Sequence, residues 1–296
     1  MASRKLILVT GPTAVGKSEW CLDLAIRHGS PVISCDSRQI YREMTIGTAV
    51  PSPEQLSAVR HHFIQTHTIH RPYTAGMYET EALELIGRLF EEGHGTLVMT
   101  GGSAFYADAV CNGLDEMPPA DEDLREELTR RIREEGVESL RLDLKRLDPS
   151  AYSSIDIANP QRVLRAVEVC LLTGRPFSSF KAGRRKERDF EIEKICLTRP
   201  REELYRRIDA RVRDMVDRGL VEEVRGLMEF RKLPALRTVG YSEIFDWLDR
   251  EDGLDTPGLP QSLDEAISLI QRNTRHYARK QLSWWKRDPS VRWIEL

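Results

Sequence analysis

The chain has no apolar run near the roughly 20 residues needed to cross a bilayer, which argues against a membrane-spanning protein. It has five cysteines, Cys21, Cys35, Cys111, Cys170 and Cys196, and no two form a C-x-x-C pair. That spacing excludes a zinc ribbon and a disulfide framework, leaving reduced thiols in or near a core. Histidine is also scarce. His61 and His62 are adjacent and point apart on regular structure, His67 and His70 fall in a loop-like stretch, and no H-E-x-x-H spacing occurs. The absence of a G-x-S-x-G elbow removes the serine-hydrolase reading. No internal repeat or low-complexity tract occurs. Met1–Lys5 leads straight into an apolar segment with no separate apolar region and cleavage site, so the expectation is a cytoplasmic protein.

A strong charge of either sign is missing too: the net charge is −3. The distribution is uneven. Arg162, Arg165, Arg175, Lys181, Arg184, Arg185, Lys186 and Arg188 face only Glu168 and Glu187 across their stretch. Arg272, Arg275, Arg279, Lys280, Lys286 and Arg287 face no acid at all. Acids gather at 115–123 and 246–255. Basic patches on a near-neutral chain suit a nucleic-acid binder with a separate acidic face, and equally suit solvated helix faces.

What is present is Gly11-Pro12-Thr13-Ala14-Val15-Gly16-Lys17-Ser18, a match to G-x-x-x-x-G-K-[ST], the phosphate-binding P-loop. Leu6-Ile7-Leu8-Val9 before it reads as a buried strand, and Ser18–His28 after it as a helix, which is the context the motif requires. Its glycines let the backbone bend around an anion, and amides at the helix start point into the loop. Lys17 would neutralise terminal phosphate charge and the Ser18 hydroxyl would hold Mg²⁺. The motif leaves open whether the anion is ATP, GTP or a pyrophosphate ester.

Residues 1–112 alternate short apolar runs with helical stretches. Leu6–Thr10, Val32–Cys35 and Leu97–Thr100 read as strands, and Tyr78–Glu92 as a further helix. This is the rhythm of an α/β fold of the P-loop NTPase type, a parallel sheet flanked by helices. Ligands of such sheets lie beyond the carboxyl ends of the strands. That rule brings the P-loop, Asp36-Ser37-Arg38-Gln39 and Gly101-Gly102-Ser103 to one crevice. From Met117-Pro118-Pro119-Ala120 the character changes. Asp121–Glu135, Gly136–Leu147 and a helix begun by Asn159-Pro160-Gln161 and ended by Thr173-Gly174-Arg175-Pro176 describe a helical insertion. The domains are therefore 1–115 with 187–296, and an insertion of 116–186. Ile192–Leu197 reads as a return strand. Helices follow at Arg201–Arg218, Leu220–Phe230 and Ser262–Arg287, and Asp249–Gln261 reads as a loop.

In the last helix Leu263, Ile267, Ile270, Thr274, Tyr277 and Gln281, extended by Leu282 and Trp285, form a packing stripe. Arg272, Arg275, Arg279 and Lys286 share another face. Trp284 is either core or a platform for a base, and core is the better fit.

Asp36, beside the P-loop, has three readings: a Mg²⁺ ligand through water, a proton acceptor, or an N-cap or turn carboxylate. Ser37 and Gln39 offer groups that a base-reading pocket uses. Arg207 and Arg211 stand one helical turn apart. They suit either a phosphate site or a surface arginine ladder. Leu97-Val98-Met99-Thr100 runs into Gly-Gly instead of an Asp, which weakens a motor-ATPase reading.

With these segments in view, the chain resembles the bacterial tRNA dimethylallyltransferases (tRNA isopentenylpyrophosphate transferases) over nearly its whole length. The pieces come in the family's order. They are GPTAVGKS at 11–18, DSRQIYR at 36–42, IGTAVP at 46–51, HHF at 61–63 and GGSAFY at 101–106, then NPQRVLRA at 159–166, RIDARV at 207–212, RTVGY at 237–241 and RNTRHYARKQLSWW at 272–285. The resemblance implies Mg²⁺-dependent transfer of a dimethylallyl group from dimethylallyl diphosphate to the exocyclic amine of the adenosine 3′-adjacent to the anticodon in tRNA. By motif position, Asp36 is the general base, and Thr13 and Arg211 bind the leaving pyrophosphate. The loop Gly11–Ser18 (Gly11, Pro12, Thr13, Ala14, Val15, Gly16, Lys17, Ser18) completes that site. Positions matching tRNA contacts are Asp36, Ser37, Arg38, Gln39, Ser103, Arg125, Gln161, Arg162, Val163, Leu164 and Arg165. Arg237, Thr238, Val239, Gly240, Tyr241, Ser242, Arg279, Lys280, Gln281, Trp284 and Lys286 continue the set. The expected partners are the tRNA anticodon stem-loop and dimethylallyl diphosphate, bound by a monomer.

Three positions depart from the family's habit. Ala104 replaces a glycine, Val50 a lysine and Glu43 a glycine. The alternatives are an adenylate isopentenyltransferase acting on free nucleotide, a P-loop small-metabolite kinase, and a non-catalytic RNA binder that uses the loop as a nucleotide switch. The helical insertion and basic C-terminal helix argue against the first, because a small acceptor needs neither.

Overall fold

The computed structural model describes residues 4–181, 183, 186–253 and 256–296. Arg184, Arg185 and Asp255, named above for their charge, lie outside the described residues, as do Met1–Ser3. The chain forms two compact units, one of 1–112 with 187–296 and one of 113–186.

The larger unit begins with β1 (Lys5–Thr10), α1 (Lys17–His28), β2 (Val32–Ser34), α2 (Pro53–Ala58), β3 (His61–His62), α3 (Ala75–Glu91), β4 (Thr96–Thr100) and α4 (Ala104–Asn112). The second unit is helical: α5 (Glu122–Glu135), α6 (Val137–Leu147), α7 (Pro149–Ser154) and α8 (Pro160–Thr173). The chain then returns with β5 (Glu191–Thr198), α9 (Arg201–Asp217), α10 (Leu220–Arg225), α11 (Ser242–Glu251), α12 (Leu263–Trp285) and β6 (Val291–Glu295).

The sheet has six strands in the order β3-β2-β4-β1-β5-β6, and every pairing is parallel. Its central strands are buried, which suits their near-continuous apolar sequence. Ile7, Val9, Ile195 and Leu197 from the sheet pack with Leu24 and Ala25 of α1 and Leu204 and Ile208 of α9. The helical unit has its own core, with Leu128, Leu140, Leu144, Val163, Leu164 and Val167 among its members.

Register places the site. Thr100 is the partner of both Val9 in β1 and Ser34 in β2, so three strands end level. The ladder runs one step further, as Cys35 N donates to Thr100 O at 2.8 Å. The next residues on each side, Asp36 and Gly101, therefore leave the sheet side by side. Only glycine fits at 101, because a Cβ there would stand 2.4 Å from the Cys35 carbonyl carbon. Ala104 opens α4 with no positive φ, so this position makes no demand for glycine.

Several elements differ from expectation. α10 stops at Arg225 because Gly226 follows it, and only a short 3₁₀ turn at Met228–Phe230 continues toward the expected end. The expected loop at Asp249–Gln261 begins inside α11. There Ile244, Phe245 and Leu248 are buried and Glu243 accepts from Gly240 N at 2.8 Å. α2, opened by a full capping box at Ser52 and Gln55, was readable in principle. The short β3 and the exposed β6 carry too little alternation to announce themselves. All five cysteines are free and buried, and burial pushes the Cys21 and Cys111 thiols up to about 12.

Candidate active site

A cavity of about 1070 Å³ opens at the carboxyl ends of the strands. The P-loop, the 36–39 turn, the 101–103 turn, α9 and α12 line it. Five basic side chains, Lys17, Arg38, Arg207, Arg211 and Arg218, line it against the acids Glu19 and Asp36, so the cavity is built for an anion. Leu22, Leu56, Ile64, Met215 and Ile270 give the same cavity an apolar part.

The loop after β1 turns on Gly16, which caps α1 in a left-handed conformation. Its carbonyls are gripped from outside. Arg199 Nε donates to Val15 O and Arg207 Nε to Ala14 O, each at 2.8 Å. Lys17 Nζ folds back to donate to Gly11 O at 2.9 Å and Pro12 O at 2.8 Å. Burial, and then the neighbouring Arg211, push the Lys17 pKa down to about 8, while Cys21 and Asp36 oppose that shift. Arg211 is likewise lowered by burial, which Asp36 and Asp214 oppose. Among the described residues Arg211 has no hydrogen-bond or ion-pair partner. Arg207, expected beside it as a phosphate ligand or surface ladder, holds the loop through its Nε and also lines the cavity.

Asp36 is a turn carboxylate that also lines the cavity. Its Oδ1 accepts from Arg38 N at 2.9 Å and Gln39 N at 3.2 Å, and its Oδ2 from Gly102 N at 3.2 Å. Carboxylate oxygens take more than one donor, so these bonds orient the group without exhausting it. Ser103 Oγ accepts from Ser37 N at 2.9 Å and donates to Ser37 Oγ at 2.7 Å, locking the two turns together.

The helix α12 completes the wall. Ile270, Thr274, Tyr277 and Gln281, expected as a packing stripe, line the cavity. Tyr277 Oη donates to Gly102 O at 2.8 Å. Gln281 accepts from Thr13 N at 2.9 Å and donates to Gly102 O at 2.8 Å, so one amide ties the P-loop to the turn that holds Asp36.

The residues matched to tRNA contacts divide by exposure. Arg237, Arg279, Lys280 and Lys286 are exposed, and Thr238, Val239 and Gly240 line the cavity. In the helical unit Gln161 and Arg162 are exposed at the start of α8. Val163, Leu164 and Tyr241 instead have side chains at most 1% exposed, so they pack inward and offer no surface to RNA. Gln281, 4% exposed, is a staple in the wall for the same reason. Arg125 and Arg165 both pair with the fully buried Glu168, at 2.9 and 2.7 Å, which spends part of their charge inside the unit. Arg275 leaves the expected basic face to pair with Asp209. Trp284 is half-buried, edge-on to Phe105, which is 52% exposed, while Trp285 is the core tryptophan.

Residues that sequence reasoning missed are Glu168, Arg199, Glu223 and the bridging role of Gln281. Each has at least one partner distant in sequence, which local spacing does not signal.

Residues 39–288 match the IPP transferase family. A tRNA dimethylallyltransferase of Porphyromonas gingivalis is 49% identical over 98% of this chain and 93% of its own length. One from Bacteroides thetaiotaomicron is 45% identical over 98% and 91%. The crystal structure of the full-length tRNA isopentenylpyrophosphate transferase of Bacillus halodurans superposes with a TM-score of 0.70 at 34% identity, over 99% of this chain and 90% of that one. A eukaryotic dimethylallyltransferase acting on tRNA gives a TM-score of 0.80 at 22% identity, over 99% of this chain and 74% of that one, a likeness of fold alone.

Proposed function

This chain belongs to the IPP transferase family and is a tRNA dimethylallyltransferase, and from that premise we propose how its cavity carries out the reaction. The donor is dimethylallyl diphosphate, and the acceptor is the exocyclic amine of the adenosine 3′-adjacent to the anticodon. The products are the prenylated tRNA and pyrophosphate. The relatives do not favour the free-nucleotide prenyltransferase or the metabolite kinase.

One observation carries this reading. Lys17 and Arg211, both half-buried, line one cavity, neither is paired with an acid among the described residues, and Asp36 lines the same cavity. Such cations cost desolvation energy unless an anion offsets it, and a pyrophosphate does. An adenine amine is a poor nucleophile because its lone pair is delocalised into the ring. An allylic carbon bears positive charge well, so the barrier depends mainly on the departing pyrophosphate. In this reading Lys17, Arg211 and the P-loop amides take up the charge that builds on the leaving oxygen, with Thr13 lining the same end. The apolar part of the cavity holds the five-carbon chain. Asp36, fixed by three amides, accepts the amine proton as the new C–N bond forms.

The donor set fits Mg²⁺, which keeps several waters and takes few protein ligands beside substrate phosphates. The Ser18 hydroxyl is exposed in the cavity wall, and the buried Thr100 Oγ1 has no nitrogen or oxygen partner there. Ser18 would ligate the ion, which supplies further neutralisation of phosphate charge.

The target base must leave the anticodon stack to reach such a crevice. Exposed Arg279, Lys280 and Lys286 on or beside α12, and Arg162 on α8, are the charges proposed to hold the stem-loop phosphates. Among the described residues no helix is long and apolar enough to cross a membrane. The proposed working form is a cytoplasmic monomer, with tRNA supplying the second surface.

The test is mass spectrometry of an anticodon stem-loop incubated with protein, Mg²⁺ and dimethylallyl diphosphate, beside an AMP acceptor and the Asp36→Asn variant. Expected is a prenyl mass gain on the stem-loop alone, with a rate reduced about a hundredfold or more in the variant. Gain on AMP alone would overturn the tRNA assignment, and an undiminished variant would remove Asp36 as the base.

A further inference from the structure

One wall of the cavity is an irregular segment, residues 45–51, that follows the Asp36 turn and precedes α2. It has no strand or helix of its own, and burial alone does not hold it, since most of its residues are half-exposed. One carboxylate grips its first three residues. Glu223 on α10 accepts from three successive amides: Thr45 N at 3.0 Å and Ile46 N at 2.7 Å on Oε2, and Gly47 N at 3.0 Å on Oε1. A fourth donor, Tyr241 Oη, reaches Oε1 at 2.5 Å.

The fit is specific in two ways. A carboxylate accepts about four hydrogen bonds and donates none, so all its capacity is matched by donors here. A glutamine would turn an N–H₂ toward at least one N–H. The tyrosine ring also shapes the segment: Tyr241 is fully buried, and a Cβ at Gly47 would come within 2.5 Å of its ring. Burial and then the Glu223 charge push the Tyr241 pKa up, which keeps the phenol a donor.

The latch reaches the reacting centre. Gln39 Nε2 donates to Thr48 O at 3.1 Å and Ala49 O at 2.8 Å, inside the same segment. The Gln39 backbone N–H in turn donates to Asp36 Oδ1. Glu223 thus fixes the wall, and the wall fixes the turn that aims Asp36.

We propose that Glu223, braced by Tyr241, is a positioning residue that holds the 45–51 wall against the cavity and so keeps water from the allylic donor. The proposal rests on the prenyl-transfer reading above. When the bond from the allylic carbon to the pyrophosphate oxygen breaks, its electron pair leaves on that oxygen. The carbon then takes a lone pair from either of two nucleophiles. Adenine nitrogen gives prenylated RNA, with the amine proton passing to Asp36. Water oxygen gives dimethylallyl alcohol, with one water proton released. Both routes liberate one pyrophosphate, so their ratio reports how well water is excluded.

The experiment measures pyrophosphate released and prenyl group added to a stem-loop in the same reaction, for wild type, Glu223→Gln and Tyr241→Phe. Wild type should give a ratio near one. E223Q should raise the ratio roughly tenfold, the scale of one lost charge-assisted hydrogen bond. Y241F keeps the ring and three of the four donors, and should raise it about threefold. If E223Q does not fold, Y241F alone decides. A purely structural role would slow both products together, and a wild-type ratio in the folded variants overturns the proposal. A wild type that prenylates no RNA would instead sink the transferase reading on which this one stands.

Discussion

Gln281 accepts the Thr13 amide proton at 2.9 Å, a contact between α12 and the P-loop across 268 residues of sequence. The same side chain donates to Gly102 O, whose own amide holds Asp36 Oδ2. The phosphate loop and the carboxylate are therefore set relative to each other by one amide, which needs both an acceptor and a donor end.

Gln281→Glu separates those two ends. It retains the acceptor for Thr13 N but sets a carboxylate oxygen against the Gly102 carbonyl. We expect a loss of about 1–3 kcal/mol in stability and of roughly tenfold or more in kcat. Thermal unfolding and initial rates measure the two effects. A Q281E enzyme with wild-type kcat would show that the bridge is not needed for alignment.

Arg211 illustrates a site held at the expense of the fold. Its charge is half-buried with no partner among the described residues, so Arg211→Leu should leave the ligand-free protein as stable as wild type, or more stable by about 1 kcal/mol. Turnover should fall by about two to three orders of magnitude, as expected when a group that stabilises developing charge is removed. A fall of several degrees in Tm would refute the first half of this expectation. Retention of turnover would refute the second.

The Lys17 pKa near 8 gives a pH signature. A phosphate ligand favours the charged ammonium, so affinity is full below about 8 and declines as the free protein loses that proton. Between pH 7 and pH 9 the dissociation constant for pyrophosphate should rise by about tenfold, beyond any change shown by Lys17→Met. The stability sign is opposite. The unfolded chain keeps its lysine proton up to about 10.5, so stability without ligand should increase from pH 8 toward that value. Titration calorimetry at the two pH values and denaturant melts across the range check both directions.

What was legible in the sequence was chemistry carried on short contiguous segments at strand ends. The P-loop, Asp36 and Gly101-Gly102 converge because parallel strands end level, and that follows from the alternation of strand and helix. The α12 stripe was legible as a periodic face but not as a cavity wall, because Tyr277 and Gln281 repeat at the same spacing whichever they border. Arg275 fell on the basic face by period, yet Asp209, 66 residues away, draws it inward. Glu223 sits among other charged residues, and its amide partners lie up to 178 residues away, so nothing local distinguished it from a solvated acid. Val163, Leu164 and Tyr241 show the converse: a motif position matched to the family also serves the core.

The chain leaves the sheet unit once, after Asn112, and re-enters it once, at Glu187. Between those points the helical segment closes a core of its own. It is therefore a cassette. Substitutions there act on a separate packing problem from the one that sets Lys17, Asp36 and Arg211, so a lineage can revise this segment by drift or by exchange without reinventing the reaction.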